Sequence, residues 1–203
     1  MKFFQENIYH VYNRGNHSNP VFLEHENYLY FLKKMKSHLL PYCEILAWCL
    51  MPNHFHWMIY VNSLPETENN MASLNSEPVS DLNKSIGVLL RSYTRAINSR
   101  YEKSGSLFQQ KTKSKNLNEN MTENDDYPLT CFLYIHQNPL RAGLEGCLGM
   151  WKFSSYKDYA GDRNGLLCNQ RLARKLLNLP THSKSFKELS QKTINEDVLD
   201  KIF

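Results

Sequence analysis

The chain reads as an α+β protein: one antiparallel sheet with helices packed on it, followed by a helical C-terminal extension. Three observations predict this. Two apolar, aromatic-rich runs, Cys43–Leu50 and His54–Val61, are separated by Met51-Pro52-Asn53, the pattern of a hairpin. Residues 23–40 and 81–101 carry apolar side chains at helical spacing. These helical stretches alternate with strand-like runs, and that order lays helices on a sheet. At 203 residues the chain accommodates one well-cored domain over 1–160 and an extension over 161–203.

The elements follow in order. Ile8–Arg14 is a strand in which Ile8, His10 and Tyr12 alternate with Tyr9, Val11 and Asn13, and Gly15-Asn16 closes it. Leu23–Leu40 is a helix with Tyr28, Phe31, Leu32 and Met35 on one face, stopped by Pro41. The hairpin comes next. Residues 62–80, rich in Asn, Ser, Glu and Pro, read as a mobile insert, with a lid as one possible use. Ser80 or Asp81 caps a helix to about Tyr101, striped by Leu82, Ile86, Leu89, Leu90, Tyr93, Ile97 and Tyr101. Leu107–Leu117 reads as a further strand. Asp125 or Asp126 caps a helix with Pro128 in its first turn, ending near Asn138 because the residue before Pro139 resists helical geometry. Two short amphipathic helices, around Asn169–Leu177 and Phe186–Phe203, form the extension.

The net charge of +4 is mild but unevenly placed. Between Asp81 and Leu117 eight basic residues (Lys84, Arg91, Arg95, Arg100, Lys103, Lys111, Lys113 and Lys115) face two acidic ones, Asp81 and Glu102. Such a segment suits a polyanion, since phosphate neutralisation releases condensed counterions; a solvated helix face produces the same composition. The five cysteines show neither CxxC nor Cys/His zinc spacing, which indicates thiols in a reducing compartment. The N-terminus turns polar at once and no apolar run is long enough to cross a bilayer, so a soluble cytoplasmic protein is expected.

Two half-sites carry candidate chemistry. Residues i and i+2 of a strand point to one side, so His54 and His56 face together while Phe55, Trp57, Ile59 and Val61 face away. Two imidazoles so placed can share a divalent cation; a pair of buried, hydrogen-bonded histidines looks the same in sequence. On a helix, i and i+4 lie roughly 40° apart, so Tyr134 and Asn138 share a face. A core tyrosine and a capping asparagine would also satisfy that spacing. Brought together, the half-sites make a metal site with a nucleophile beside it. A phenol of pKa about 10 is a weak nucleophile at neutral pH. A divalent ion can polarise a phosphate and fix the attack geometry. Imidazole nitrogens with an amide oxygen and water suit Mg²⁺ or Mn²⁺.

Five stretches carry a family resemblance: Tyr9-His10-Val11-Tyr12-Asn13-Arg14-Gly15-Asn16, Met51-Pro52-Asn53-His54-Phe55-His56, Ser104-Gly105-Ser106-Leu107-Phe108-Gln109, Tyr134-Ile135-His136-Gln137-Asn138-Pro139-Leu140-Arg141-Ala142-Gly143 and Trp151-Lys152-Phe153-Ser154-Ser155-Tyr156. In these the chain resembles the single-tyrosine HUH transposases, in the branch associated with repetitive extragenic palindromes, over about residues 5–160. The resemblance implies a ferredoxin-like sandwich, His54, His56 and Asn138 as metal ligands, and Tyr134 as the nucleophile. It further implies Mg²⁺ or Mn²⁺ as cofactor, with no nucleotide. Cleavage and rejoining of single-stranded DNA near hairpins, through a 5′-phosphotyrosine, is the implied activity, by a monomer or homodimer. Arg14, Lys84, Arg91, Arg95, Lys111 and Lys113 would track the DNA backbone, and Phe108 would stack on bases. Phe108 stands where the family usually shows tryptophan, and the insert is longer and more polar than the family pattern. Two other functions fit the same residues: a domesticated protein that holds hairpin DNA without moving it, and a metal phosphodiesterase that uses water.

Overall fold

The computed structural model describes residues 1–62, 80–119 and 127–194. The expected insert, the Asp125 or Asp126 cap and the end of the last predicted helix therefore fall mostly or wholly outside the described residues. Four strands, β1 (Ile8–Arg14), β2 (Cys43–Met51), β3 (His54–Val61) and β4 (Lys113–Asn116), form one sheet in the order β2-β3-β1-β4. Every neighbouring pair is antiparallel. Helix α1 (His25–Leu39) lies between β1 and β2, and α2 (Ser80–Arg100) between β3 and β4. This βαββαβ order with β1 and β3 central is the ferredoxin-like sandwich.

Alternation along the strands separates two faces. Phe55 and Trp57 of β3 meet Phe31 of α1, with ring centroids 5.6 and 5.9 Å apart. Phe31 in turn meets Tyr93 of α2 at 4.8 Å. Tyr28, Phe31, Met35 and Leu39 form the buried stripe of α1. That helix begins at His25, two residues later than its periodicity suggests. The reason is the Asn27 side chain, whose Oδ1 accepts the N–H groups of Leu23 and Glu24 and holds them outside the helix.

The opposite face of the sheet carries α3 (Tyr127–Arg141). This helix runs past Pro139, three residues further than the proline predicts. Its stop is a glycine: Gly143 has φ +70°, its N–H reaches Leu140 O at 3.0 Å, and Leu144 N–H reaches Pro139 O at 2.9 Å. These are the paired bonds of a Schellman cap.

Both sheet edges are protected. Beside β2, Leu50 N–H donates to Phe153 O and Ser155 N–H to Trp48 O, each at 2.9 Å, so the Trp151–Tyr156 motif pairs with that edge. A bulge between Ile45 and Ala47 turns the Leu46 carbonyl to accept from Tyr159 Oη. Beside β1, the expected Leu107–Leu117 strand is split. Phe108 bridges to Gly15 and β4 begins at Lys113. In the gap Asn13 Nδ2 donates to Gln109 O and Thr112 Oγ1, which replaces the backbone ladder. β4 is short and carries two lysines, features that blunt an edge.

In the C-terminal segment α4 (Tyr156–Tyr159) and α6 (Ser183–Ser190) pack on α3, while α5 (Gln170–Leu176) packs against β2. Phe186 of α6 is fully buried against Phe132, Tyr156 and Tyr159. Gln137 of α3 donates to the carbonyls of Ser190 and Lys192. No helix among the described residues is long and apolar enough to cross a membrane. All five cysteines are free thiols, four of them buried.

Candidate functional site

The register of β3, β1 and β4 places His54, His56, His10, Tyr12, Lys113 and Lys115 on one face of the sheet, because Tyr12 pairs with His56 and Lys113, and His10 pairs with Lys115. Over this face α3 presents Tyr134 and Asn138 one turn apart. Between them lies a cavity of about 620 Å³, lined by Tyr12, Asn13, Arg14, His54, Phe55, His56, Gln109, Lys111, Lys113, Tyr134, Asn138, Arg141 and Ala142. Four of these are basic and none is acidic, an electrostatic match to phosphate.

The two half-sites converge. His54 Nε2 is 3.3 Å from Asn138 Oδ1, and Asn138 Nδ2 is 3.4 Å from His56 Nε2. The Tyr134 ring stands edge-on to the His56 ring, 5.6 Å between centroids, and the Arg141 guanidinium lies 5.9 Å over the Tyr134 ring. Burial lowers the His54 pKa to about 4, opposed by its contact with Asn138 and reinforced by Arg14. Burial also holds His56 well below the usual histidine range, helped by His10, His54 and Arg14. Both rings are therefore neutral at neutral pH and keep a lone pair. Burial raises the Tyr134 phenol, while the Asn138 hydrogen bond, Arg141 and Arg14 pull it back down.

Hydrogen-bond bookkeeping tests whether a cation fits. Asn53 Nδ2 donates to Ser18 O at 3.1 Å, which turns its Oδ1 toward His54 Nδ1, 2.6 Å away. Neutral His54 then carries its hydrogen on Nδ1 and offers only a lone pair at Nε2. The Asn138 amide can donate toward one of the two Nε2 atoms and turns an oxygen to the other. The triangle of His54, His56 and Asn138 is thus rich in acceptors and short of a hydrogen, an arrangement suited to a divalent ion. Among the described residues no group of three or more His, Cys, Asp or Glu side chains is placed to hold a metal. The candidate set is two imidazoles and an amide, which leaves further coordination positions for water and phosphate oxygens.

The remaining predicted DNA contacts divide. Arg14, Lys111 and Lys113 line the central cavity. Arg91 and Arg95 line a second cavity of about 800 Å³, which shares Asn13 and Gln109 with the first. Gly87 leaves room there, since a Cβ would sit 3.0 Å from Arg91 Nη1. Lys84 lies in the first turn of α2, ion-paired with Asp81 at 2.9 Å, and lines neither cavity. Phe108 also lines the second cavity, but it is only 4% exposed and its ring packs among Phe31, Phe55 and Tyr93, so little of it is free to stack on a base. Tyr93 of α2 is fully buried and its hydroxyl donates to Val21 O, so it belongs to the core and offers no second nucleophile.

Sequence reasoning missed Asn53, His10 and Arg141 as parts of the site. Asn53 and His10 sit inside motifs already singled out, and Arg141 lies seven residues after Tyr134, on the same helix face.

Fold and site together define a class: a ferredoxin-like sandwich with a basic cleft between its sheet and α3, where a phenol, two imidazoles and an amide meet. No family model matches the chain, and no curated protein matches it. Among solved structures the chain is similar to a REP-associated tyrosine transposase bound to a REP hairpin, with a TM-score of 0.53 and 16% sequence identity. The match covers 79% of this chain and 83% of that one. The likeness is one of fold.

Proposed function

We propose that this protein cleaves and rejoins single-stranded DNA beside hairpins, with Tyr134 as nucleophile and His54, His56 and Asn138 holding Mg²⁺ or Mn²⁺. The observation that carries this reading is the convergence of those four side chains, from strand and helix segments about 80 residues apart in sequence, within one basic cleft. The solved transposase of similar fold, bound to a REP hairpin, supports hairpin DNA as the partner class.

When bound, the ion supplies Lewis-acid polarisation of the scissile phosphate. Arg14, Lys111 and Lys113 hold the DNA backbone along the cleft, and Arg91 and Arg95 extend the basic track. Tyr134 Oη attacks phosphorus as the P–O3′ bond breaks. The product is a 5′-phosphotyrosine and a free 3′-hydroxyl, and the phenolic proton passes to the departing oxygen through solvent. In the reverse step a 3′-hydroxyl attacks the phosphotyrosine, the Oη–P bond breaks and the phenol regains a proton. The transfer conserves one phosphoester bond, so no nucleotide cofactor is needed. Arg141 and Asn138 ease loss of the phenolic proton, which burial resists. Four buried free thiols suit a reducing cytoplasm.

The test is incubation with a single-stranded DNA hairpin and Mn²⁺, followed by denaturing electrophoresis. A covalent protein–DNA adduct is expected from the wild type and none from Tyr134→Phe. Cleavage without an adduct would favour a water-using phosphodiesterase. Binding without cleavage would favour a hairpin-holding protein.

A further inference from the structure

His10 does not line the cavity, yet it is fully buried directly behind it. Its Nε2 lies 2.9 Å from His56 Nδ1, and the two rings meet edge to edge, their planes 21° apart and their centroids 5.1 Å apart. Tyr12 stacks on His10 at 4.7 Å and also meets the His56 ring at 5.9 Å, so the three rings form one cluster that holds His10 in orientation. The register explains the contact: Tyr12 is the direct partner of His56, and His10, two residues back on the same face, is its diagonal neighbour.

Two neutral imidazoles that meet nitrogen to nitrogen share one hydrogen, and its position decides what each ring offers on its other side. If His56 donates from Nδ1, its Nε2 keeps a lone pair directed at Asn138. If His10 donates instead, His56 carries its hydrogen on Nε2 and has nothing to give a cation. Asn138 Nδ2, 3.4 Å from His56 Nε2, is a donor in the orientation observed, which agrees with the first arrangement. Asn53 Oδ1 sits in the same way 2.6 Å behind His54 Nδ1, so each candidate histidine ligand has a hydrogen-bonding partner at its Nδ1.

We propose that His10 is a positioning residue, whose Nε2 accepts the Nδ1 hydrogen of His56 and thereby turns the His56 Nε2 lone pair into the cavity. Its use in holding an ion rests on the reading of the site given above, but the arrangement of hydrogens is testable without metal. Outer partners of ligating histidines typically change metal affinity 10- to 100-fold when removed.

The experiment has two arms on the full chain. In the first, two-bond ¹H–¹⁵N spectra of histidine-labelled, metal-free protein read which nitrogen of His56 carries hydrogen. The wild type is expected to show hydrogen on Nδ1, and His10→Phe to lose that preference. In the second, titration of Mn²⁺ followed by electron paramagnetic resonance is expected to show roughly 10- to 100-fold weaker binding in His10→Phe. His10→Gln, which restores an acceptor near the position of Nε2, recovers most of the affinity. Hairpin binding in EDTA stays unchanged in both variants. A wild-type His56 with hydrogen on Nε2 overturns the proposal outright, whether or not the variants fold. So does His10→Phe with an unaltered His56 spectrum and unaltered Mn²⁺ affinity. If the wild type does not bind Mn²⁺ at this site, the metal reading fails while the spectra still decide the role of His10.

Discussion

Acid stability offers a quantitative check on the core behind α3, through His136. The ring is 1% exposed, and its Nε2 lies 2.8 Å from Ser155 Oγ, while Nδ1 has no hydrogen-bond partner among the described residues. Phe132, Tyr156, Tyr159 and Phe186 surround it. Burial lowers its pKa from 6.5 to about 3. The unfolded chain therefore binds more protons than the folded one between those limits, so stability is intact above pH 6.5 and falls as pH drops. At pH 5 an unfolded ring is almost fully charged and the folded ring neutral, which costs about 2 kcal/mol relative to pH 8. That is a large share of the 5–15 kcal/mol typical of a domain. His136→Phe removes this titration while it keeps an aromatic ring among its neighbours. Urea unfolding followed by circular dichroism at pH 8, 7, 6 and 5 should show the wild type losing about 2 kcal/mol more than the variant over that span. Any constant cost of the substitution cancels in the difference. Equal losses in the two proteins would mean that His136 is charged in the folded state, and the packing argument would be refuted.

Three further outcomes follow from the site. Arg91→Ala and Arg95→Ala are expected to weaken hairpin binding and each to reduce the slope of log K against log salt by about 1, read by anisotropy titrations; an unchanged slope would remove that face from the DNA track. Because burial raises the Tyr134 pKa, cleavage should accelerate steadily from pH 7 toward pH 9, and Arg141→Ala should slow it and move the rise to higher pH; single-turnover rates check both. Phe108→Ala should cost about 3–5 kcal/mol of stability in urea melts and leave the Kd for hairpin DNA in the intact fold near wild type; lost affinity without lost stability would restore Phe108 to the binding surface.

The elements that position the site were legible where periodicity was strong. β1 and β3 match their sequence patterns residue for residue, and the alternation that faces His54 and His56 away from Phe55 and Trp57 survives in the structure. Boundaries set by side chains were not legible. Asn27 delays α1, and Asn13 splits the Leu107–Leu117 strand, because each amide takes over backbone hydrogen bonds that no apolar spacing reports. Pro139 is a local stop signal that lost to a stronger one four residues on, the glycine cap at Gly143. The spacing of Tyr134 and Asn138 placed both on one face of α3, but only the packing of α3 over β3 brings that face to the two histidines. Phe108 shows the converse limit: an aromatic in a basic segment reads as a stacking surface until the fold turns it inward against Phe31 and Phe55. His10 was visible as a strand residue, but its bond to His56 depends on the β1–β3 register, which sequence does not state.

The central claim is that His54, His56 and Asn138 surround a point where one divalent ion sits beside the Tyr134 phenol. A Mn²⁺-soaked crystal with anomalous scattering measured above and below the manganese edge tests it most directly. The account predicts one strong peak between His54 Nε2, His56 Nε2 and the Asn138 side-chain oxygen, lost in His54→Ala. A peak elsewhere, or a fully ordered site with no peak at saturating Mn²⁺, would contradict it.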